Sequence, residues 1–100
     1  MSRDKRYKSV AWRNLRKLVL QRDNFLCQQS KRFGKTRPAE MVHHIFPADE
    51  YPHLFYNINN LISLSNIEHN KLHDRESKKM TDEGKKLQQR YKNIIFKNYK

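Results

Sequence analysis

His43 and His44 stand side by side, Asn60 follows, and His69 and His73 complete a 31-residue window that holds all five histidines of the chain, the fifth being His53. The spacing suits a metal site with a spare proton acceptor beside it. Adjacent residues on a strand present their side chains to opposite faces. A His-x3-His pair on a helix presents both rings to one face, about 6 Å of rise apart. One ring of the first pair can therefore join the second pair on a metal ion, leaving the other ring for proton transfer. Three neutral imidazoles from His43, His69 and His73 make an open site with positions left for water and phosphate oxygens. A metal so held can neutralise a scissile phosphate and stabilise the departing oxygen. His44, unligated and near neutral pKa, can take a proton from water. A carboxamide such as Asn60 can hold a strand–loop–helix junction and fix the tautomer of the base. The chemistry indicated is phosphodiester cleavage.

The flanking sequence supplies elements to position these groups. Met41 to Ile45 reads as a strand ended by Pro47, with Val42 and His44 on one face and Met41, His43 and Ile45 on the other. It pairs with a preceding strand at Phe25 to Gln28 across a turn at 30–35, where Gly34 can take positive φ. Residues 46 to 57 form a loop rich in aromatics (Tyr51, Phe55, Tyr56), predicted to pack down on the body of the protein. Leu61 to Leu64 is a short alternating strand. Ser65 and Glu68 form a capping-box pattern for a helix running through His69 and His73 to about Arg75, with Ile67 and Leu72 as its buried contacts. Asn59 could replace Asn60 if the loop register slipped, but Asn60 directly precedes the strand. His53 reads as a surface loop residue.

Two further helices are expected as flanks, over residues 8–23 and 81–97. In the first, Ser9 caps and Val10, Trp12, Leu15, Leu18 and Val19 form an apolar stripe, with Trp12 read as a core anchor. In the second, Thr81 opens the helix and Leu87, Tyr91, Ile94 and Ile95 form its apolar face, although Gly84 weakens the first turn. Met1 to Tyr7 is charged and reads as frayed.

At 100 residues the chain is read as one domain with a small core, residues 41–75 forming the motif region. The net charge is +12, distributed as +9 over residues 1–40, −3 over 41–77 and +6 over 78–100. Basic arms around a slightly acidic centre fit a polyanionic partner. Arg13, Arg16, Lys17, Lys31, Arg32, Lys85 and Arg90 are the candidate phosphate contacts. Nothing resembles a base-reading helix, so weak sequence preference is expected. The single cysteine, Cys27, excludes an intrachain disulfide. With no signal-peptide-like stretch and no aliphatic run long enough to span a bilayer, the chain reads as soluble and cytoplasmic.

The segments Val42-His43-His44-Ile45, Asn60-Leu61-Ile62-Ser63-Leu64 and His69-Asn70-Lys71-Leu72-His73-Asp74 together resemble the HNH endonuclease motif, also called ββα-metal or His-Me finger. Glu68 to His73 is especially similar to small phage-encoded HNH proteins. The steps of sixteen residues from His44 to Asn60, nine to His69 and four to His73 are close to the spacing in nuclease colicins. The motif covers about a third of the chain. The resemblance implies an α+β, ββα-metal core with N- and C-terminal helices around it. It implies a DNA endonuclease or nickase with His44 as general base, Asn60 orienting the base and its loop, and His43, His69 and His73 holding one divalent metal. Double-stranded DNA is the implied substrate, in the host cytoplasm if the chain is phage-encoded, and the phage packaging terminase is an implied partner.

Two departures from the family pattern stand out. Many relatives carry a structural zinc on two Cys-x2-Cys pairs; the matching positions here are Cys27 and Ser30, then Ser65 and Glu68, so a four-cysteine zinc is excluded. Packing, the terminal helices and capping by Ser65 are expected to replace it. Many relatives have Asp where this chain has His43. An all-imidazole set favours Zn²⁺, Ni²⁺ or Mn²⁺ over Mg²⁺, which prefers oxygen. The rival reading is a non-catalytic nucleic-acid-binding module in which the histidines hold a structural zinc. It requires four filled positions, whereas the nuclease requires His44 unligated.

Overall fold

A computed structural model describes residues 4–77 and 79–97. Its elements are helix α1 (Val10–Arg22), helix α2 (Gln28–Arg32), strand β1 (Met41–His44), strand β2 (Leu61–Leu64), helix α3 (Asn66–Asn70) and helix α4 (Asp82–Ile95), with single 3-10 turns at Lys5–Lys8, Pro52–Leu54 and Ile58–Asn60. The α+β arrangement has the ββα core and flanking helices expected of the HNH fold.

The two strands pair antiparallel, with His44 opposite Leu61 and His43 opposite Ile62. Directly opposed residues share a face, so the hairpin has two apolar sides. Val42 and Leu61 pack with Trp12, Val19 and Phe55 on the α1 side. Met41, Ile45, Ile62 and Leu64 pack with Leu72, Leu87 and Ile95 on the α4 side. All four β2 residues are buried as a result. A strand covered on both faces has no solvent side to keep polar.

Three helices begin on the hydroxyls the sequence offers. Ser9 Oγ accepts from Trp12 N at 3.1 Å, Ser65 Oγ from Glu68 N at 3.3 Å, and Thr81 Oγ1 from Gly84 N at 3.2 Å. Each satisfies a backbone donor that a helix leaves open at its start. Gly84 has a packing reason beyond helix propensity. A Cβ there would lie 2.6 Å from the Leu72 carbonyl oxygen and 2.5 Å from Met80 Cγ.

Several expectations are corrected. No strand forms over 25–28. Asn24 and Phe25 both take left-handed backbone (φ 56° and 59°), and Phe25 N closes onto Leu20 O at 2.8 Å. The chain therefore turns sharply after α1, leaves only an isolated bridge between Leu26 and Pro38, and enters α2 with Cys27 as its cap. Gly34 does take positive φ, at 77°. The apolar stripes are narrower than read: Val10, Leu18, Ile67 and Ile94 are all exposed. The loop over 46–57 is packed down as expected, with Leu54 and Phe55 fully buried.

The N-terminal segment is not frayed from residue 4 onward. Asp4 accepts from Arg6 N at 2.9 Å, and Arg6 donates to Pro52 O at 3.2 Å and lies 4.0 Å over the Phe55 ring. Met1 to Arg3 lie outside the described residues.

Candidate functional site

His44 is held in a box of aromatic rings. Trp12 stacks on its imidazole, Phe55 leans on it with centroids 4.7 Å apart, and Tyr7 meets it edge-on at 5.8 Å. Its Nε2 is 3.0 Å from the Phe55 carbonyl oxygen. A carbonyl only accepts, so Nε2 carries the hydrogen and the neutral ring keeps its lone pair on Nδ1. Burial lowers the pKa of His44, an effect that the carbonyl at Phe55 partly offsets. Nδ1 faces the Tyr7 hydroxyl at 3.3 Å.

The next residue turns its ring the other way, as alternation along β1 requires. His43 meets His69 with centroids 5.1 Å apart and His73 at 6.3 Å; His69 and His73 are 6.5 Å apart. Burial, followed by the neighbouring imidazoles, pushes the His43 pKa down to about 3. Burial and His73 lower that of His69 as well. Both rings are neutral at physiological pH, the form that ligates metals.

His73 reaches the trio by a route different from the one expected. Helix α3 ends at Asn70, and His73 pairs with Met80 in an isolated bridge. Two interactions divert the chain. The Leu72 carbonyl accepts from Thr81 N at 2.9 Å, and the Asp74 carboxylate accepts from Glu76 N at 2.8 Å and Ser77 N at 3.0 Å. His69 and His73 are thus not one helical face; a turn brings the second ring round.

The donor set fits an open divalent site in type and number. Three imidazoles on one ion place their ring centroids about 4.5–5.5 Å apart. The His43–His69 pair meets this, and His73 stands about an ångström further out. In agreement, among the described residues no trio of His, Cys, Asp or Glu already stands at ligating distance. A cleft of about 420 Å³ is lined by Tyr7, His43, His44, Asp49, His69 and His73. A second, of about 550 Å³, continues from His69 and His73 past Asn70, Asp74 and Arg75.

Asn60 is fully buried, whereas Asn59 is exposed. The Asn60 side chain accepts from Phe46 N at 2.8 Å and donates to Phe46 O at 3.1 Å and Leu54 O at 3.3 Å. None of these hydrogen bonds goes to His44. Asn60 ties the end of β1 to the residue before Phe55, whose carbonyl holds the ring.

No protein-family model and no curated protein matches the chain. Among solved structures, the manganese-containing crystal structure of the HNH endonuclease of the deep-sea thermophilic bacteriophage GVE2 matches it. The TM-score is 0.63 at 36% sequence identity, covering 64% of this chain and 70% of that one. The chain belongs to the HNH endonuclease family. It is a hydrolase of phosphodiester bonds, and the phage affinity read from residues 68–73 agrees with the relative found.

In this HNH endonuclease the positions matching the cysteine pairs of many relatives do converge. Cys27, Ser30, Ser65 and Glu68 are all buried. Cys27 Sγ accepts from Ser30 N at 3.4 Å, and Ser65 caps α3. Glu68 Oε2 meets Arg37 Nη1 and Lys71 Nζ, each at 3.4 Å. With one thiol among four side chains, the quartet does not fit a four-thiolate zinc.

Two structural contributors escaped the sequence reading. Asp23 is buried and accepts from Ser63 N at 3.0 Å, while Arg22 donates to Leu61 O at 2.7 Å. Together they fasten the end of α1 to β2. A charged pair at a helix end carries no sequence signal for such a role. Tyr7 is the other, hidden in a segment read as frayed. Of the candidate phosphate contacts, Arg13, Lys17, Lys31, Arg32 and Lys85 are exposed, and Arg16 and Arg90 are partly buried. Arg90 donates to Gln29 at 3.3 Å. No helix among the described residues is long and apolar enough to cross a membrane.

Proposed function

We propose that this HNH endonuclease nicks double-stranded DNA with low sequence specificity, using one divalent metal ion and His44 as general base. The observation that carries the reading is the 3.0 Å contact of His44 Nε2 with the Phe55 carbonyl oxygen, which sets the tautomer of the neutral ring. Its Nε2–H is committed to the Phe55 carbonyl, so Nδ1 is left to take a proton, and His44 lines the same cleft as His43, His69 and His73.

His44 accepts a proton from the attacking water at Nδ1. The carbonyl of Phe55 fixes the ring during the transfer and offsets the positive charge that forms on it. Asn60 acts at one remove by holding Leu54 and Phe46. His43, His69 and His73 would hold the metal, which when bound neutralises charge on the phosphate and on the departing oxygen. The exposed Arg13, Lys17, Lys31, Arg32 and Lys85, with Arg16 and Arg90, grip the phosphate backbone without reading bases.

The relative's structure contains manganese, and an imidazole set prefers Mn²⁺, Zn²⁺ or Ni²⁺ to Mg²⁺. One site per chain makes nicking the elementary event. The resemblance extends the proposal to action in the host cytoplasm beside a packaging terminase; stimulation of nicking by a terminase subunit would test that part.

The direct assay is supercoiled plasmid incubated with a panel of divalent metals and with chelator. Relaxed circles should accumulate with Mn²⁺, Zn²⁺ or Ni²⁺ and vanish with chelator. Undiminished nicking in chelator would refute the metal-dependent reading.

A further inference from the structure

Tyr7 has no part in the motif, yet its hydroxyl stands 3.3 Å from His44 Nδ1, the only ring nitrogen with a lone pair to offer. The phenol is fixed by packing as well as by this contact. Its ring meets Trp12 edge-on at 5.3 Å and Phe55 at 4.9 Å. The turn that carries it is tied down by Asp4, which accepts from Arg6 N, and by Arg6, which reaches Pro52 O. Tyr7 also lines the cleft that His43, His69 and His73 share. A separation of 3.3 Å is long for a bond from a hydroxyl, which centres near 2.8 Å. The contact is therefore weak enough for a water molecule to displace.

We propose that Tyr7 is a positioning residue for hydrolysis, its hydroxyl holding the attacking water against the Nδ1 face of His44. A hydroxyl both donates and accepts. It can therefore take one hydrogen bond of the water while the other O–H of that water points at the base. Proton balance is unaffected: the proton passes from water to Nδ1, and Tyr7 keeps its own. The proposal rests on His44 being the base and adds the group that orients its substrate water.

The test is Tyr7→Phe, which keeps the ring against Trp12 and Phe55 and removes only the hydroxyl. Plasmid nicking by this variant should show kcat reduced about tenfold, with KM for DNA and the thermal midpoint unchanged. Wild-type kcat would overturn the proposal. So would a raised kcat, which would make the phenol a cover over the base. A loss carried by KM or by the thermal midpoint would show a packing role instead and would equally overturn it. His44→Ala run alongside separates the two layers. If that variant nicks normally, the base assignment fails; if it is inactive while Tyr7→Phe is unaffected, only the positioning role fails.

Discussion

The indole of Trp12 lies flat against the imidazole of His44, with ring centroids 5.2 Å apart and planes 17° from parallel. Trp12 is thus a core residue, only 6% exposed, and also the wall that sets the plane of the proposed base. Trp12→Ala should cost about 3–5 kcal/mol of folding free energy, read from urea denaturation. Trp12→Phe should keep most of the stability and still slow nicking, because the smaller ring leaves the imidazole less constrained. Equal losses of stability in the two variants would contradict this.

Asn60 concentrates three buried hydrogen bonds in one side chain. Asn60→Ala takes the Asn60 partner from the Phe46 N–H and the Phe46 carbonyl and leaves the Leu54 carbonyl with Asn57 N alone, at 3.1 Å. The expected cost is about 2–4 kcal/mol, with a fall in kcat as the Phe55 carbonyl loses its anchor. A variant of wild-type stability in urea would show that the loop is held by other means.

Gly84→Ala should destabilise, against the usual gain of about 1 kcal/mol for Gly to Ala within a helix. The new methyl would meet the Leu72 carbonyl oxygen, which is backbone and already bonded to Thr81 N. Overpacking of this kind costs about 1–3 kcal/mol, so the thermal midpoint should drop. A rise would show that the α4 junction is loose.

The histidines make the metal-free protein acid-sensitive. His43 is held down to about 3 by burial and by its imidazole neighbours, and burial lowers His44 and His69 too. Unfolded histidines titrate near 6.5. Above that pH both states are neutral and these groups leave stability unchanged. Below it, the unfolded chain binds protons that the folded chain refuses, so stability falls as pH drops from about 6.5 toward 3. In chelator, the urea midpoint should be level from pH 8 to 7 and decline steadily to pH 5. A midpoint constant down to pH 5 would contradict the lowered values of His43, His44 and His69.

Most of the site was legible because strand alternation is a strict rule. His43 and His44 had to diverge once Met41 to Ile45 formed a strand, and β2 was marked by Leu61 to Leu64 with a capping Ser65 behind it. Helical spacing misled at His73, where local turn chemistry at Asp74 and a long-range bond from Thr81 to Leu72 won over the i, i+4 pattern. Residues 24–25 misled for a related reason. Asn24 is of a type that tolerates left-handed backbone, but Phe25 is not, and the strand expected from Phe25 onward became a turn and a short helix. Besides Trp12 nearby, the anchoring of Tyr7 depends on His44 and Phe55, 37 and 48 residues away, beyond the reach of any local pattern.

Four histidines divide between two roles, three for a metal and one for a proton. The most direct measurement is calorimetric titration of Mn²⁺ into His44→Ala, paired with the plasmid assay on the same preparation. One bound ion with wild-type affinity is expected, together with a loss of nicking of about 10²–10⁴-fold. Nicking at the wild-type rate, or loss of the ion together with the His44 ring, would contradict this division of roles.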